Sequence, residues 1–200
     1  MVFTEEFVLP APDIKEIARY MGGADSKTYD ILKSCLDEYN VRAAFSHKVC
    51  YCILPVKIYE KKIDFSLFCA ESADLAKNLC GCTCAAIFSA TVGMEADRLI
   101  TKYSKTSPVK ALVFQAIGTE RIESLCDEFC KSLGHEWATR PRFSPGYGDL
   151  DISLQKEIFC VLDCGRKIGL YLNESMFMTP TKSVSAIVGL KALEKHNENT

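Results

Sequence analysis

The chain has 200 residues, of which 48% are hydrophobic, and its 24 basic and 26 acidic residues nearly cancel. A chain of this length fits one domain and can bury roughly 70% of its unfolded surface, so it needs no metal or disulfide to fold. Neither sign of charge forms a long block, which argues against a nucleic-acid-binding stripe and against a polybasic membrane anchor.

The N-terminal segment, residues 1–12, contains Glu5 and Glu6 but no basic n-region, so we do not expect a secretory signal. The longest weakly polar stretch, residues 79–92, is too short to span a bilayer. We therefore expect a cytoplasmic protein without a membrane partner.

Two helices are predicted to open the chain. Residues 13–21 form a short helix that Gly22 stops. A second helix begins with Ser26 as its N-cap, because apolar residues then recur at helical spacing as far as Tyr39. Asn40 stands where a left-handed C-cap would fall.

The hydrophobic period changes to two between Val41 and Ile53, which predicts a long, half-buried strand that ends at Pro55. His47 falls on the apolar side of this alternation. We interpret it as a tucked-in or edge histidine rather than as a ligand or base, because no partner motif accompanies it.

The middle of the chain is predicted to alternate between strands and helices. Residues 56–59 and 63–68 pair as a hairpin, Ser72 caps a helix, and residues 84–91 form a buried strand. Gly93 then makes a structural turn, because one glycine falls far short of a phosphate-binding loop.

Two further helices follow this turn. The first carries Met94, Leu99 and Ile100, and the second is a long helix that begins at Pro108 and ends at Gly134.

The last third of the chain begins with a segment of different composition. Residues 140–149 form a loop rich in proline and glycine, and residues 153–163 form a helix with Gly165 as its C′ residue. Residues 168–178 and 183–190 are predicted to pair with each other as a hairpin.

Together these elements predict an α+β fold with a twisted, mainly antiparallel sheet flanked by helices. We expect a single domain over residues 1–200, with a polar, frayed tail from about residue 194.

The chain contains eleven cysteines, an odd number, and none of their spacings is C-x-x-C. Without a signal peptide, reduced and mostly buried thiols are expected, with neither a disulfide framework nor a metal site. The spacing of Cys80, Cys82 and Cys84 would place them on one side of a strand. A cysteine-ligated metal or redox protein therefore stays open as a weaker alternative.

The loop of residues 140–149 holds the candidate binding residues. Arg142 offers a fork of donors for a carboxylate or phosphate, and Tyr147 offers a flat face for stacking. Ser144 and Gly146 leave the backbone accessible to a ligand. The same composition also suits a rigid linking loop in which Arg142 makes a surface ion pair.

Two stretches resemble the activation domain of cobalamin-dependent methionine synthase. Residues 142–147, R-F-S-P-G-Y, are similar to that family's R-x-x-P-G-Y segment, which binds S-adenosylmethionine. Residues 174–185, E-S-M-F-M-T-P-T-K-S-V-S, are similar to its E-S-x-x-M-x-P-x-x-S-V-S stretch. The match covers about residues 140–185 and implies the fold of that domain.

The resemblance implies that Arg142 contacts the methionine carboxylate of S-adenosylmethionine. Ser144, Gly146 and Tyr147 are the further ligand contacts that it implies, because the family holds the adenine with the backbone of this loop. It assigns no catalytic residue and no metal ligand. The serines of residues 183–185 are interpreted as architectural.

The resemblance also implies an acidic ligand contact on the long helix that precedes the loop. Glu123 is the candidate for this contact, and Glu120 and Asp127 are the alternatives.

The function that the resemblance implies is that of a short, stand-alone activator. It would present S-adenosylmethionine for the reductive remethylation of cobalamin carried by a methionine synthase core or another corrinoid methyltransferase. A flavodoxin or ferredoxin would supply the electron. The module would thus belong to a methyltransferase system, without itself being assigned as an enzyme.

The alternative is a module that caps a corrinoid protein without binding S-adenosylmethionine. It is favoured by departures after the S-V-S stretch, where Ala186 replaces the family's glycine and Ile187 and Val188 replace its aromatic residues.

Overall fold

The computed structural model of the chain describes residues 1–23, 25–43 and 47–193, without the side chains of residues 42 and 43. The strands and helices follow one another as β1 (Phe3–Glu6), α1 (Ile14–Tyr20), α2 (Ser26–Ala43), β2 (Lys48–Pro55), β3 (Lys57–Tyr59), β4 (Lys62–Asp64), β5 (Cys69–Glu71), α3 (Ala73–Asn78), β6 (Cys84–Thr91), α4 (Glu95–Ser104), α5 (Pro108–Leu133), β7 (Trp137–Thr139), α6 (Leu154–Leu162), α7 (Cys164–Ile168), β8 (Tyr171–Leu172), β9 (Met178–Thr179) and β10 (Ser183–Ala192).

A five-stranded antiparallel sheet in the order β1-β2-β6-β10-β7 organises the fold. Strand β6 lies at its centre and pairs along its whole length with both β2 and β10. Every residue of β6 after Cys84 is buried. The predicted α+β class and antiparallel sheet are therefore confirmed.

Both faces of this sheet are covered. On one face Phe129 of α5 packs with Phe88 and Val188, and on the other Ile158 of α6 packs with Ile187. Neighbouring residues of β10 thus enter different cores, as the alternation of side chains along a strand requires.

A third cluster lies around the N-terminal half of α5. There Phe114 packs with Ile17 of α1, Leu32 of α2 and Leu99 of α4, and all four side chains are almost completely buried. The face of α5 therefore passes from a helical cluster to the sheet, which explains why this helix needs 26 residues.

Several predicted elements are confirmed at or near their expected ends. The hydroxyl of Ser72 caps α3 by accepting from the Leu75 N–H at 2.9 Å, and Asp13 caps α1. Strand β6 matches residues 84–91, and Pro108 is the first residue of α5. The hairpin of β3 and β4 also forms, with β5 added as a third strand.

The strand predicted from Val41 to Ile53 is wrong in its first part. Helix α2 continues through Asn40 and Val41 to Ala43, so Asn40 is not a C-cap, and strand β2 begins at Lys48. Residues 44–46 lie outside the described part of the chain. The apparent alternation misled because Val41 is 85% exposed and does not face the core.

The start of α2 also differs from the prediction. The carboxylate of Asp25 accepts from the backbone N–H and from the hydroxyl of Thr28, so Asp25 rather than Ser26 caps the helix.

The end of α6 is set by Asp163, which adopts the left-handed conformation expected of a glycine. The predicted C′ residue, Gly165, instead lies inside the short helix α7. A non-glycine residue is tolerated in this conformation when its side chain is short and polar.

The predicted C-terminal hairpin is wrong. Strands β8 and β9 pair with each other, whereas β10 pairs with β6 and β7 in the main sheet. Because β10 is buried on both faces, its main-chain groups require a partner strand on each side, which one hairpin arm cannot provide.

All eleven cysteines are free thiols, and the sulfurs of Cys50 and Cys164 form a hydrogen-bonded pair at 3.8 Å. Cys80 and Cys82 lie in the turn before β6, so only Cys84 belongs to a strand. Among the described residues no three cysteine, histidine or acidic side chains are grouped as a metal site would require. The described helices include none that is long and apolar enough to cross a membrane.

The burial of the thiols predicts their reactivity. Cys69, Cys80 and Cys160 are exposed and should react quickly with iodoacetamide in the folded protein. Cys35 and Cys126 should react only after unfolding, because burial raises their pKa values to about 11 and about 12. Peptide mass spectrometry after a short labelling pulse measures this, and rapid labelling of Cys126 would contradict the described packing.

The core prediction concerns Phe129, which is completely buried and contacts the rings of Tyr51 and Phe88 at centroid distances of 5.0 and 4.8 Å. Phe129→Ala should lower the free energy of unfolding by about 3–5 kcal/mol, as measured by urea denaturation. The matched control is Phe177→Ala, because Phe177 is 71% exposed and should cost far less. Equal losses would contradict the assignment of this core.

Candidate functional site

The loop after β7 is fixed to the sheet by main-chain hydrogen bonds. Phe143 exchanges two with Ile187 of β10, at 2.8 and 2.9 Å, and Arg140 donates one to the carbonyl of Gly189 at 2.8 Å. Because successive residues of an extended segment point to opposite faces, Phe143 enters the core beneath α6 while Arg142 reaches α5.

Arg142 lies between two acidic residues of α5. Its Nη2 donates to Glu123, and its Nη1 lies 3.3 Å from Oδ1 of Asp127. Nη1 is shielded from solvent and forms no hydrogen bond of good geometry to a described residue. The structure therefore brings together Arg142 and two of the three acidic candidates.

The surroundings of Arg142 keep it charged. Burial acts to lower the pKa of this guanidinium. Cys126, Glu123 and Asp127 together raise it by more than burial lowers it, so the net shift is upward. The Cys126 thiol stays neutral, because burial raises its pKa to about 12. Arg142 therefore stays positively charged in a site that is partly shielded from solvent.

Glu120, the third acidic candidate, points elsewhere. Its carboxylate binds Arg121 through two hydrogen bonds and also accepts from the backbone N–H of Asp13 at 3.2 Å. Both Glu120 and Arg121 are buried.

An acidic groove of about 460 Å³ lies between α1 and α5. The acidic residues that line it are Asp13, Glu16, Glu120, Glu123, Asp127 and Glu128. Two of them are the partners of Arg142, so this cation stands at the edge of a strongly negative surface.

The Pro/Gly loop itself is a compact turn. Gly146 has φ +88° and donates to the carbonyl of Leu150 at 2.8 Å, while the Tyr147 N–H donates to the carbonyl of Ser144 at 3.1 Å. A Cβ on Gly146 would lie 2.8 Å from Cδ1 of Ile152, but this is the end of an exposed side chain that can turn away, so it is the backbone conformation that requires glycine.

Tyr147 lines a second groove, of about 660 Å³, between this loop and α3. Its ring is 69% exposed and meets the Phe143 ring edge to face at 5.3 Å. Lys77 and Arg140 also line this groove. Arg142 and Tyr147 therefore lie on different surfaces of the same loop. A ligand that contacts both would have to extend across the edge of the loop.

Asp149 is a positioning residue that sequence reasoning missed. Its carboxylate accepts from the hydroxyl of Ser72 and from the backbone N–H groups of Ala73 and Asp74, so it holds the loop to the N-terminus of α3. These hydrogen bonds lower the pKa of Asp149. The predicted cap at Ser72 was the available signal, because helix N-termini attract carboxylates.

Two of three comparisons with known proteins found a similarity. Residues 131–195 match the profile of the family described as vitamin B12 dependent methionine synthase, activation domain. Among solved structures, the crystal structure of the MetH reactivation domain bound to AdoHcy is similar over 94% of this chain and 78% of that chain, with a TM-score of 0.70 and 12% identity. No curated protein matches the chain. Residues 131–195 are thus similar to the methionine synthase activation domain, and the chain has the fold of the reactivation domain.

The second activation-domain stretch forms the turn before β10. Thr181 binds Asp97 of α4 through its backbone N–H and its hydroxyl, and Lys182 donates to the hydroxyl of Thr119 at 2.9 Å. Ser183 is buried and donates to the carbonyl of Pro180 at 2.8 Å. This stretch thus fastens β10 to α4 and α5.

The departures from the activation-domain pattern are core positions in this chain. Ala186, Ile187 and Val188 are completely buried in the sheet. In this structure they fill the two cores and present no surface to a ligand. Their identity therefore does not distinguish a ligand-binding activation domain from one that has lost its ligand.

The loop geometry generates a prediction for Gly146. Gly146→Ala should lower the free energy of unfolding by about 1–2 kcal/mol, because the new Cβ is strained by a backbone at φ +88° while the exposed Ile152 side chain can turn away. Gly169→Ala is the matched variant, because Gly169 has φ +67° and open space, and it should cost about the same.

Urea denaturation measures both costs. A clearly larger cost at Gly146, recovered by adding Ile152→Ala, would contradict this expectation and show that Ile152 is held against the loop.

Proposed function

We propose that the chain is an activation module that binds S-adenosylmethionine and presents its methyl group to a corrinoid. The profile match and the shared fold support this proposal. Because the reactivation-domain fold accounts for 94% of these residues, the corrinoid would be carried by another protein or domain, such as a methionine synthase core.

The observation that carries the proposal is the cluster of Arg142 with Glu123 and Asp127. The methionine part of S-adenosylmethionine ends in one carboxylate and one ammonium group. Arg142 would take the carboxylate through its forked donors, and the acidic residues thus released would take the ammonium. The exchange preserves the balance of charge at a partly buried site.

The charge of the acidic groove supports the same ligand. S-adenosylmethionine carries a sulfonium and an ammonium against one carboxylate, so it is a net cation. Asp13, Glu16 and Glu128 line the groove beside Arg142 and would attract it. At the other surface of the loop, the exposed ring of Tyr147 and the turn at Gly146 suit a flat adenine.

The module would contribute positioning rather than acid–base chemistry. S-adenosylmethionine supplies an electrophilic methyl group when bound. The part played by Arg142, Glu123 and the loop is to hold its two ends, and such orientation by itself accelerates a transfer reaction. No side chain need act as a nucleophile, and the electron for reduction would come from a flavodoxin or ferredoxin.

A second candidate function is a module that caps a corrinoid protein without binding S-adenosylmethionine. The observation that favours it is that Arg142 already has two acidic partners. Ligand titration separates the two candidates, since only the first requires these ion pairs to open.

Arg142→Ala tests the proposal. Loss of one partner from a desolvated charge pair costs about 2–5 kcal/mol, so affinity for S-adenosylmethionine should fall by roughly 30-fold or more in calorimetry. Arg142→Lys should also lower the affinity for S-adenosylmethionine, because a point charge cannot replace the forked donors of arginine.

Arg166→Ala is the matched control, since it removes the same charge from an exposed ion pair with Asp163. It should bind S-adenosylmethionine like the unmodified chain. If the unmodified chain binds none at millimolar concentration, with or without a corrinoid protein, the presenting function is refuted and the capping function is favoured.

A further inference from the structure

A small cavity lies near the N-terminal segment, beside the acidic groove but lined by different polar side chains. Its volume is about 150 Å³, and residues 9–12, the end of α2, the start of β2 and α5 surround it. Its polar lining comes from Tyr39, Asn40, His47 and Arg121. The acidic groove uses none of these four side chains.

Two buried polar atoms in this lining have no partner in the described part of the chain. They are the hydroxyl oxygen of Tyr39, a residue that is 1% exposed, and Nε2 of His47. A buried polar group without a hydrogen bond is costly, so native proteins satisfy such groups with a bound molecule. Because both residues line one cavity, an occupant that draws their side chains toward it would satisfy both atoms.

Arg121 supplies positive charge to the cavity. Its Nε and Nη2 bind Glu120, and its Nη1 donates to the carbonyl of Pro10 at 2.7 Å. A guanidinium has five N–H donors, so two remain after these three bonds. Glu120 lines the acidic groove and not the cavity, and no described residue of the cavity lining is acidic.

His47 supplies a group that is neutral near neutral pH. Burial lowers its pKa and the charge of Arg121 lowers it further, while a hydrogen bond with the Phe7 backbone acts in the opposite direction. Tyr39 also stays protonated, because burial is the main cause that raises its pKa. The cavity thus offers N–H and O–H donors together with an imidazole nitrogen that can accept.

We infer that this cavity binds a small oxyanion that carries a hydroxyl group, such as hydrogen phosphate or bicarbonate. Its charged oxygens would accept from Arg121 and Tyr39, and its hydroxyl would donate to Nε2 of His47. The volume equals that of about five water molecules at ~30 Å³ each, which suits such an ion and is far too small for S-adenosylmethionine.

This inference does not rest on the proposed function. The ion would join the N-terminal segment, α2 and α5, so its binding should stabilise the folded chain by mass action.

The test is calorimetric titration of the full chain with inorganic phosphate and, separately, with bicarbonate, at constant ionic strength with chloride as background. We expect saturable binding of at least one ion. Tyr39→Phe should weaken it about tenfold or more, because a hydrogen bond to a charged group is lost while the ring is kept. His47→Leu should also weaken it.

Tyr103→Phe is the matched control, because the Tyr103 hydroxyl binds Glu38 and does not line the cavity. It should bind both ions like the unmodified chain. Without added ion, Tyr39→Phe should fold at least as stably as the unmodified chain, because the hydroxyl that it removes has no protein partner among the described residues.

Two results would overturn the inference. Failure of both ions to bind would leave ordered water as the occupant. Unchanged binding in both Tyr39→Phe and His47→Leu would place the ion elsewhere, and adding S-adenosylmethionine as a competitor would then reveal whether that place is Arg142.

Discussion

Two main-chain hydrogen bonds between Phe143 and Ile187 hold the Pro/Gly loop against a strand that is buried on both faces. Because the pairing register is fixed, residue 142 must point toward α5 and residue 143 toward α6. A slip of one residue would exchange them, placing an arginine in the core and a phenylalanine beside two carboxylates. The positions of Arg142 and of the loop residues after it depend on this register.

Helix α5 provides the other half of the site. One side of it is held in two cores by Phe114 and Phe129, while Glu123 and Asp127 remain on the opposite, more exposed side. The acidic side chains are therefore carried by a rigid element rather than by a loop. Such support keeps charged groups in place when a ligand replaces the solvent around them.

In the chain without ligand, the ion pairs of Arg142 offset the cost of burying its charge. A partly buried guanidinium without a partner would be costly, and Glu123 and Asp127 remove that cost. A zwitterionic ligand would replace one carboxylate by another, so the exchange requires no unpaired charge at any stage. The same pairing would keep the loop ordered in a module that binds no ligand, which is why the ion pairs by themselves do not separate the two candidate functions.

The cavity beside Tyr39 and the acidic groove lie on opposite sides of the Glu120–Arg121 pair. Glu120 faces the groove and Arg121 faces the cavity, so one buried ion pair gives the two surfaces opposite charge. The bidentate contact fixes both side chains. A cation and an anion would therefore be attracted to neighbouring but distinct places on α5.

The sequence by itself determined the elements whose signals are local. The cap at Ser72, the proline that opens α5 and the mostly apolar run of β6 could each be predicted from residue type and spacing. The motif at residues 142–147 predicted the loop, and it lies within residues 131–195, which match the activation-domain profile.

Only the tertiary structure decided the pairing of strands and charges. Nothing local to β10 reveals that it pairs with β6 and β7 rather than with the segment just before it, because strand pairing depends on burial of both faces. The same is true of Arg142, whose partners stand 19 and 15 positions earlier in the chain and became neighbours only through the sheet. Val41 was misassigned for the related reason that an exposed apolar residue looks like a buried one until the surface around it is known.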